Sequence, residues 1–187
     1  LAFDYSKCAN TGIDLSSTAF SGTISDGTGT VNLTKQGTGN WALNSANTYS
    51  GLTTISAGKI TMTHAGALGS DAQGTIIANG AELDVQGNLT VGNEALTITG
   101  TGISSAGALR LVSGDVSWSG PITTAAASRM VIAAGTWNHT GDVTLNQTLT
   151  TAVQGTSLKF AGILSGAGGI TKSDAGFLEL SGANTYS

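Results

Sequence analysis

The chain reads as all-β, a right-handed, single-stranded parallel β-helix of eight to nine coils, and three observations predict it. The first is an internal repeat. Leu33–Ile60, LTKQGTGNWALNSANTYSGLTTISAGKI, returns 137 residues on as Ile170–Ser187, ITKSDAGFLELSGANTYS, with nine identities over eighteen aligned positions. Repetition of this kind means a stacked, quasi-one-dimensional architecture. The second is a Gly followed two or three residues later by alternating apolar residues, at Gly39, Gly58, Gly80, Gly107, Gly135, Gly155 and Gly176. Its spacings, 19, 22, 27, 28, 20 and 21, read as a constant coil with longer loops inserted in two middle turns. The third is that no segment holds a 3.6-residue period long enough for a three-turn helix. Short strands at this spacing, with corners too tight for crossover helices, stack coil on coil, and eight or nine coils about 4.8 Å apart make a rod of roughly 40 Å.

In chain order, Leu1–Ser6 alternates apolar and polar and reads as a strand with Leu1, Phe3 and Tyr5 on one side. Phe20–Ser25 and Thr30–Thr34 are short strands either side of the Asp26-Gly-Thr-Gly turn signal. The repeat then supplies strands at Asn40–Asn44, Leu52–Ser56 and Lys59–Thr63, the last two joined by a tight Ala57-Gly58 corner. His64–Gly74 reads as an irregular loop with a single helical turn. From Thr75 the strand pattern resumes, and Pro121, which cannot donate to a ladder, belongs at a strand end or corner. Ala125–Ser128 reads as another loop. The whole of 1–187 reads as one β-helical segment of a larger protein, with motif copies at 33–60 and 170–187.

Composition bounds the partners. Only 10% of residues are charged, but 40% are hydrophobic and these alternate, so the chain can bury them and fold. A net charge of −4 supplies no basic stripe for nucleic acid and no polybasic patch for anionic lipid. No apolar run approaches the ~18 residues that cross a bilayer, and the amino terminus lacks the signal-peptide pattern, so this segment is expected to insert in no membrane and to be an internal piece of any exported chain. Cys8 is the single cysteine and reads as a buried or incidental thiol.

Register yields a sharper expectation. The residues between the inward apolar positions of the marker strands are Ala42, Thr61, Asp84, Arg110, Asn138, Lys159 and Glu179, expected as one outward column. Asp84 then lies one coil from Arg110 and Lys159 one coil from Glu179, lateral ion pairs of ~0.2–1 kcal/mol each.

The motif LTKQGTGNWALNSANTYSGLTTISAGKI resembles the passenger-associated transport repeat of autotransporters, closely over Leu33–Ile60 and again over Gly169–Ser187. Asn47, Thr48 and Tyr49, and again Asn184, Thr185 and Tyr186, carry the most characteristic part; Trp41 and Ala42 depart from the usual Leu and Thr. The resemblance implies an extracellular, surface-exposed stalk that leaves a Gram-negative cell through a carboxy-terminal β-barrel, absent from this sequence, with the repeat aiding export and folding. The partners it implies are a second copy or a cell-surface glycan or protein.

The remaining residues offer little for catalysis or metal binding. His64 and His139 have no implied partner, no GxSxG element is present, and one Cys with two distant His offers zinc no ligand set. No catalytic, cofactor or metal residue is therefore assigned. Parallel β-helices do host polysaccharide-acting enzymes, for which Asp84, Asp115 and Asp142 with Arg110 are the candidates, though a hydrolase needs two carboxylates roughly 5–9.5 Å apart across a sugar. An ice-binding solenoid would need a flat threonine ladder; Thr61/Thr63, Thr97/Thr99 and Thr148/Thr150 are present but recur at no constant spacing.

Overall fold

The computed structural model describes residues 18–20 and 22–186; the strand expected at Leu1–Ser6 and Cys8 lie outside them. Every strand pairing is parallel, and the strands fall on three faces of one stack. Face A runs through Thr18–Phe20, Asn40–Leu43, Lys59–Met62, Glu82–Gln86, Leu109–Ser113, the end of Ile122–Ile132, Leu149–Val153 and Ile170–Ser173. Face B runs through Leu33–Lys35, Thr53–Ile55, Thr75–Ile77, Leu96–Gly100, the start of Ile122–Ile132, Val143–Leu145 and Leu164–Ser165. Face C holds Leu89–Val91, Asp115–Trp118, Thr136–His139, Ser157–Phe160 and Phe177–Leu180. In the later turns the chain passes from face A to C to B and back to A.

The alternation of side chains in each strand makes the core a bundle of vertical columns. On face A, Leu43, Met62, Val85, Leu111, Ile132 and Val153 stand one above another, all buried. On face C, Val91, Trp118, His139, Phe160 and Leu180 form one column, and the neighbouring Trp137 ring stacks on Trp118 at 5.4 Å between centroids and 17° between planes.

The β-helical reading holds, with corrections of detail. The stack has about seven turns, the number of strands on face B, so at ~4.8 Å per turn it is roughly 30 Å long. The seven Gly markers do not follow one face. Gly39, Gly58, Gly80 and Gly107 precede face A strands, whereas Gly135, Gly155 and Gly176 precede face C strands. The apparent 28-residue step between Gly107 and Gly135 is thus a change of face, and only one turn is long: Leu83 pairs with Leu109, 26 residues on, where the short 3-10 turn Ile103–Ser105 is inserted. Ala125–Ser128, expected as a loop, lies inside the eleven-residue strand Ile122–Ile132, which bends from face B to face A with a register shift between Thr124 and Ser128. His64–Gly74 is a run of turns without a helix.

Corners are set by backbone that a side chain would obstruct. Gly58 has φ +68°, and a Cβ there would lie 2.4 Å from the Gly37 carbonyl oxygen, so the tight Ala57-Gly58 corner requires glycine.

Candidate functional site

The largest concentration of ionisable groups lies on the outside of face A. Glu82 and Asp84 point outward from one strand, two residues apart, and both side chains are only 3% exposed. Lys59 sits in the coil before and Arg110 in the coil after. Backbone register places Lys59 opposite Glu82 and Arg110 opposite Asp84. The side chains cross: Lys59 Nζ reaches Asp84 at 3.0 Å and Arg110 Nη1 reaches Glu82 at 3.5 Å. Asp84 and Arg110 are therefore lateral neighbours in register, but the expected ion pair between them is replaced by diagonal pairs with Lys59 and Glu82. The sequence argument followed one outward row and so missed the carboxylate two residues away. Burial, together with hydrogen bonding and repulsion from Asp84, pushes Glu82 up to about 7 against the pull of the two cations.

Lys159 and Glu179 pair at 2.8 Å, but on face C with Asn138. The column expected through Ala42, Thr61, Asp84, Arg110, Asn138, Lys159 and Glu179 is thus two columns on two faces. Face A carries the first four and continues to Val131, and Asn138 begins the register on face C that leads to Glu179.

A second group of polar residues closes the corners. Asn47 Oδ1 accepts the Ile24 backbone N–H at 2.8 Å from the coil before, and Asn47 Nδ2 donates to the Ala67 carbonyl at 2.6 Å in the coil after. The Thr48 N–H donates to the Ile24 carbonyl at 2.8 Å. The second copy repeats this: Asn184 Oδ1 accepts the Leu164 N–H at 2.9 Å and the Thr185 N–H donates to the Leu164 carbonyl at 2.8 Å. Tyr49 is fully buried, its hydroxyl 2.6 Å from Thr53 Oγ1, and burial raises its pKa well above the usual phenol value. Tyr186 packs half-buried against the core.

Lys35 was legible only as a motif letter. Its position on face B is inward, in the column of Ile55 and Ile77, and it is fully buried. Its ammonium donates to the carbonyls of Gln36, Gly37 at 2.8 Å and Ala57 at 3.2 Å, and lies 5.6 Å from the Trp41 ring centroid. A buried cation is tolerated there because backbone oxygens replace its water. Lys172, its counterpart in the second copy, is exposed and donates to the Asp174 carbonyl.

Of the residues weighed for catalysis, Asp115 and Asp142 are structural acceptors, taking the Thr136 N–H at 3.0 Å and the Ile163 N–H at 2.9 Å. His139 is fully buried. Neither ring nitrogen has a hydrogen-bond partner, Phe160 meets it edge-on at 5.6 Å, and burial lowers its pKa to about 4, so it is neutral. His64 lies in the exposed turn region, where Nδ1 accepts the Gly66 N–H. An open depression of about 320 Å³ is lined by residues that include Leu68, Asp71, Val91 and Glu94. Glu94 accepts from Thr75 Oγ1 at 2.7 Å, and burial, with a smaller contribution from Asp71, pushes it up to about 7. Among the described residues, no three of His, Cys, Asp and Glu gather as a metal site, and no helix is long and apolar enough to cross a membrane.

Corner asparagines in both motif copies bond to a neighbouring coil, Asn47 on two sides and Asn184 on one. The family model described as passenger-associated-transport-repeat matches residues 33–62 and 170–187. Over 88% of its length the chain is 26% identical to Adhesin BmaC autotransporter of Brucella suis biovar 1 (strain 1330). The chain thus carries passenger-associated transport repeats and is similar to an autotransporter adhesin. It spans 7% of the length of that relative. No solved structure matches the chain.

Proposed function

We propose that this chain is part of an autotransporter passenger exposed at the cell surface, a non-catalytic stalk segment that carries and displays an adhesive surface outside the cell, and that its coils aid export by folding one upon the next. The observation that supports this reading most is where the charges go. Lys59, Asp84, Glu82 and Arg110 on face A, and Lys159 and Glu179 on face C, join adjacent coils, and Asp115 and Asp142 tie one coil to the next through backbone N–H groups. These polar groups serve the ladder. The matched relative's name as an adhesin supports the adhesive half of the proposal. In this reading residues 1–187 form one β-helical stretch of a longer passenger whose parent chain ends in a membrane β-barrel, and the partners are cell-surface glycans or proteins, or another copy.

A second reading, a polysaccharide-acting enzyme, is favoured by one observation: a protonatable buried carboxyl, Glu94, and Asp71 both line the same open depression. One experiment separates the two. The purified chain is coated on a surface for cell retention and, in parallel, incubated with soluble glycans whose reducing ends are counted. The stalk predicts retention above an albumin-coated control with no product release, equal in wild type and Glu94→Gln. Product release abolished by Glu94→Gln would overturn the non-catalytic reading.

A further inference from the structure

Face C begins part-way along the stack. Its first strand among the described residues, Leu89–Val91, pairs on one side only, with Asp115–Trp118. The turns that follow His64 lie beside its far end, and the small residues there, Ala65, Gly66 and Gly69, leave open the depression of about 320 Å³ described above.

Glu94 is fixed at this depression from both sides. Its carbonyl oxygen accepts from Trp118 Nε1 at 2.8 Å in the coil after, and its Oε1 accepts from Thr75 Oγ1 at 2.7 Å in the coil before. The residue is only 5% exposed. Its other oxygen, Oε2, has no hydrogen-bond partner among the described residues and is not sealed by protein atoms, so it opens into the depression that Glu94 lines. No cation answers it. Burial raises the Glu94 pKa, the Thr75 hydrogen bond opposes this, and Asp71 raises it further; the Tyr49 hydroxyl is the remaining titratable neighbour. A buried carboxylate with no counter-charge is costly until a partner supplies one.

We propose that this depression is a binding site for a primary alkylammonium group, its charge meeting Glu94 Oε2 and Asp71 and its stem lying on Ala65, Leu68 and Val91. With Oε1 committed to Thr75, Glu94 offers a single oxygen, which suits the point charge of an ammonium and not the two-pronged fork of a guanidinium. No aromatic ring lines the depression, so a quaternary ammonium, which has no N–H to donate, finds no π face. Calcium takes roughly six to eight oxygens, and two carboxylates with the Asn93 amide fall short of that on a wall that is partly apolar. The entrance is clear, since nothing lies within 4 Å of where a Cβ on Gly92 would stand.

A free amine and a lysine side chain both carry this group. The site is separate from the adhesive surface proposed above. It also asks of Glu94 the opposite of what a catalytic acid would need, because the carboxyl must be ionised to hold a cation.

The test is a titration of the purified chain with n-butylamine, in which the Glu94 side-chain carboxyl carbon is followed by NMR from pH 5 to pH 9. The Glu94 midpoint, about 7 in the free chain, should fall to about 6 or below at saturating butylammonium. Affinity should be about tenfold higher at pH 8 than at pH 6, as the ionised fraction grows. Glu94→Gln should bind roughly tenfold more weakly at pH 8 and lose the pH dependence, and Asp71→Asn, on the exposed rim, should bind about threefold more weakly. Butylamine binding at least as tightly as Nα-acetyl-lysine amide assigns a free amine as the ligand, and the reverse order assigns a lysine of a partner protein. A Glu94 midpoint that butylamine leaves in place, Glu94→Gln binding like wild type, or calcium or tetramethylammonium moving the midpoint as far as butylammonium does would overturn the proposal. Loss of cell retention with this titration intact would overturn the adhesive reading alone.

Discussion

His139 has no hydrogen-bond partner on either ring nitrogen and no exposed surface, so in the folded chain its imidazole behaves as an apolar filler between Trp118 and Phe160. Its pKa falls from 6.5 to about 4 on folding, so the unfolded chain takes up a proton that the folded chain refuses, and stability drops as pH falls from about 6.5 to 4. His139→Leu removes both the proton and the unpaired nitrogens. The expected outcome in thermal melts is a variant at least as stable as wild type at pH 7 and more stable by ~2 kcal/mol at pH 4.5. Lys35 is the opposite case. Its ammonium satisfies three carbonyls, so Lys35→Met leaves Gln36, Gly37 and Ala57 oxygens unpaired and should cost ~3 kcal/mol by urea denaturation. Neither environment could be read from the sequence. Lys35 continues an alternation whose inward phase is otherwise isoleucine, and a lone lysine there reads as solvent-facing until the corner carbonyls are in place.

At the scale of the element, the motif's Asn is a fastener between coils. Asn47 joins three successive coils through Ile24 and Ala67, while Asn184 joins its own coil to the one before through Leu164. Asn47→Ala loses two buried hydrogen bonds and is expected to lower stability by ~2 kcal/mol, and Asn184→Ala by ~1 kcal/mol, both by urea denaturation. The strands themselves were legible, because apolar alternation between glycine corners has one meaning in a chain without helical period. Their assignment to faces was not. The marker that continues face C upward, Gly114 before Val116 and Trp118, is present in the sequence, but a signal of the same form at Gly107 lies seven residues earlier, and spacing alone does not say which belongs to which face. That ambiguity joined two ion-pair columns into one.

At the scale of the whole stack, the three buried groups among the described residues whose pKa values are shifted into the range between about 4 and 7, Glu82, Glu94 and His139, shape the response to acid, and they oppose one another. Glu82 and Glu94 have pKa values raised from 4.5 to about 7, so each contributes stability that is full below about 4.5 and lost as pH rises to about 7. His139 works in the other direction over much of the same window. With two protons gained against one refused, the melting temperature should be higher at pH 5 than at pH 7.5, and Glu94→Gln should raise it at pH 7.5 and flatten the profile. A profile that rises steadily from pH 5 to 7.5 would contradict the burial of both carboxyls. The position of the repeat has a separate consequence. Leu33 begins on face B and Ile170 on face A, so the two copies are six turns and one further face apart, out of phase with the stack by about a third of a revolution. Like the two scales of a vernier, the period of the sequence and the period of the coil slide past each other, and successive copies wind around the rod on a slow screw. The signatures of the two copies therefore do not line up along one side. The repeat is written for the chain as it folds, corner by corner, and leaves each flank free to evolve its own surface.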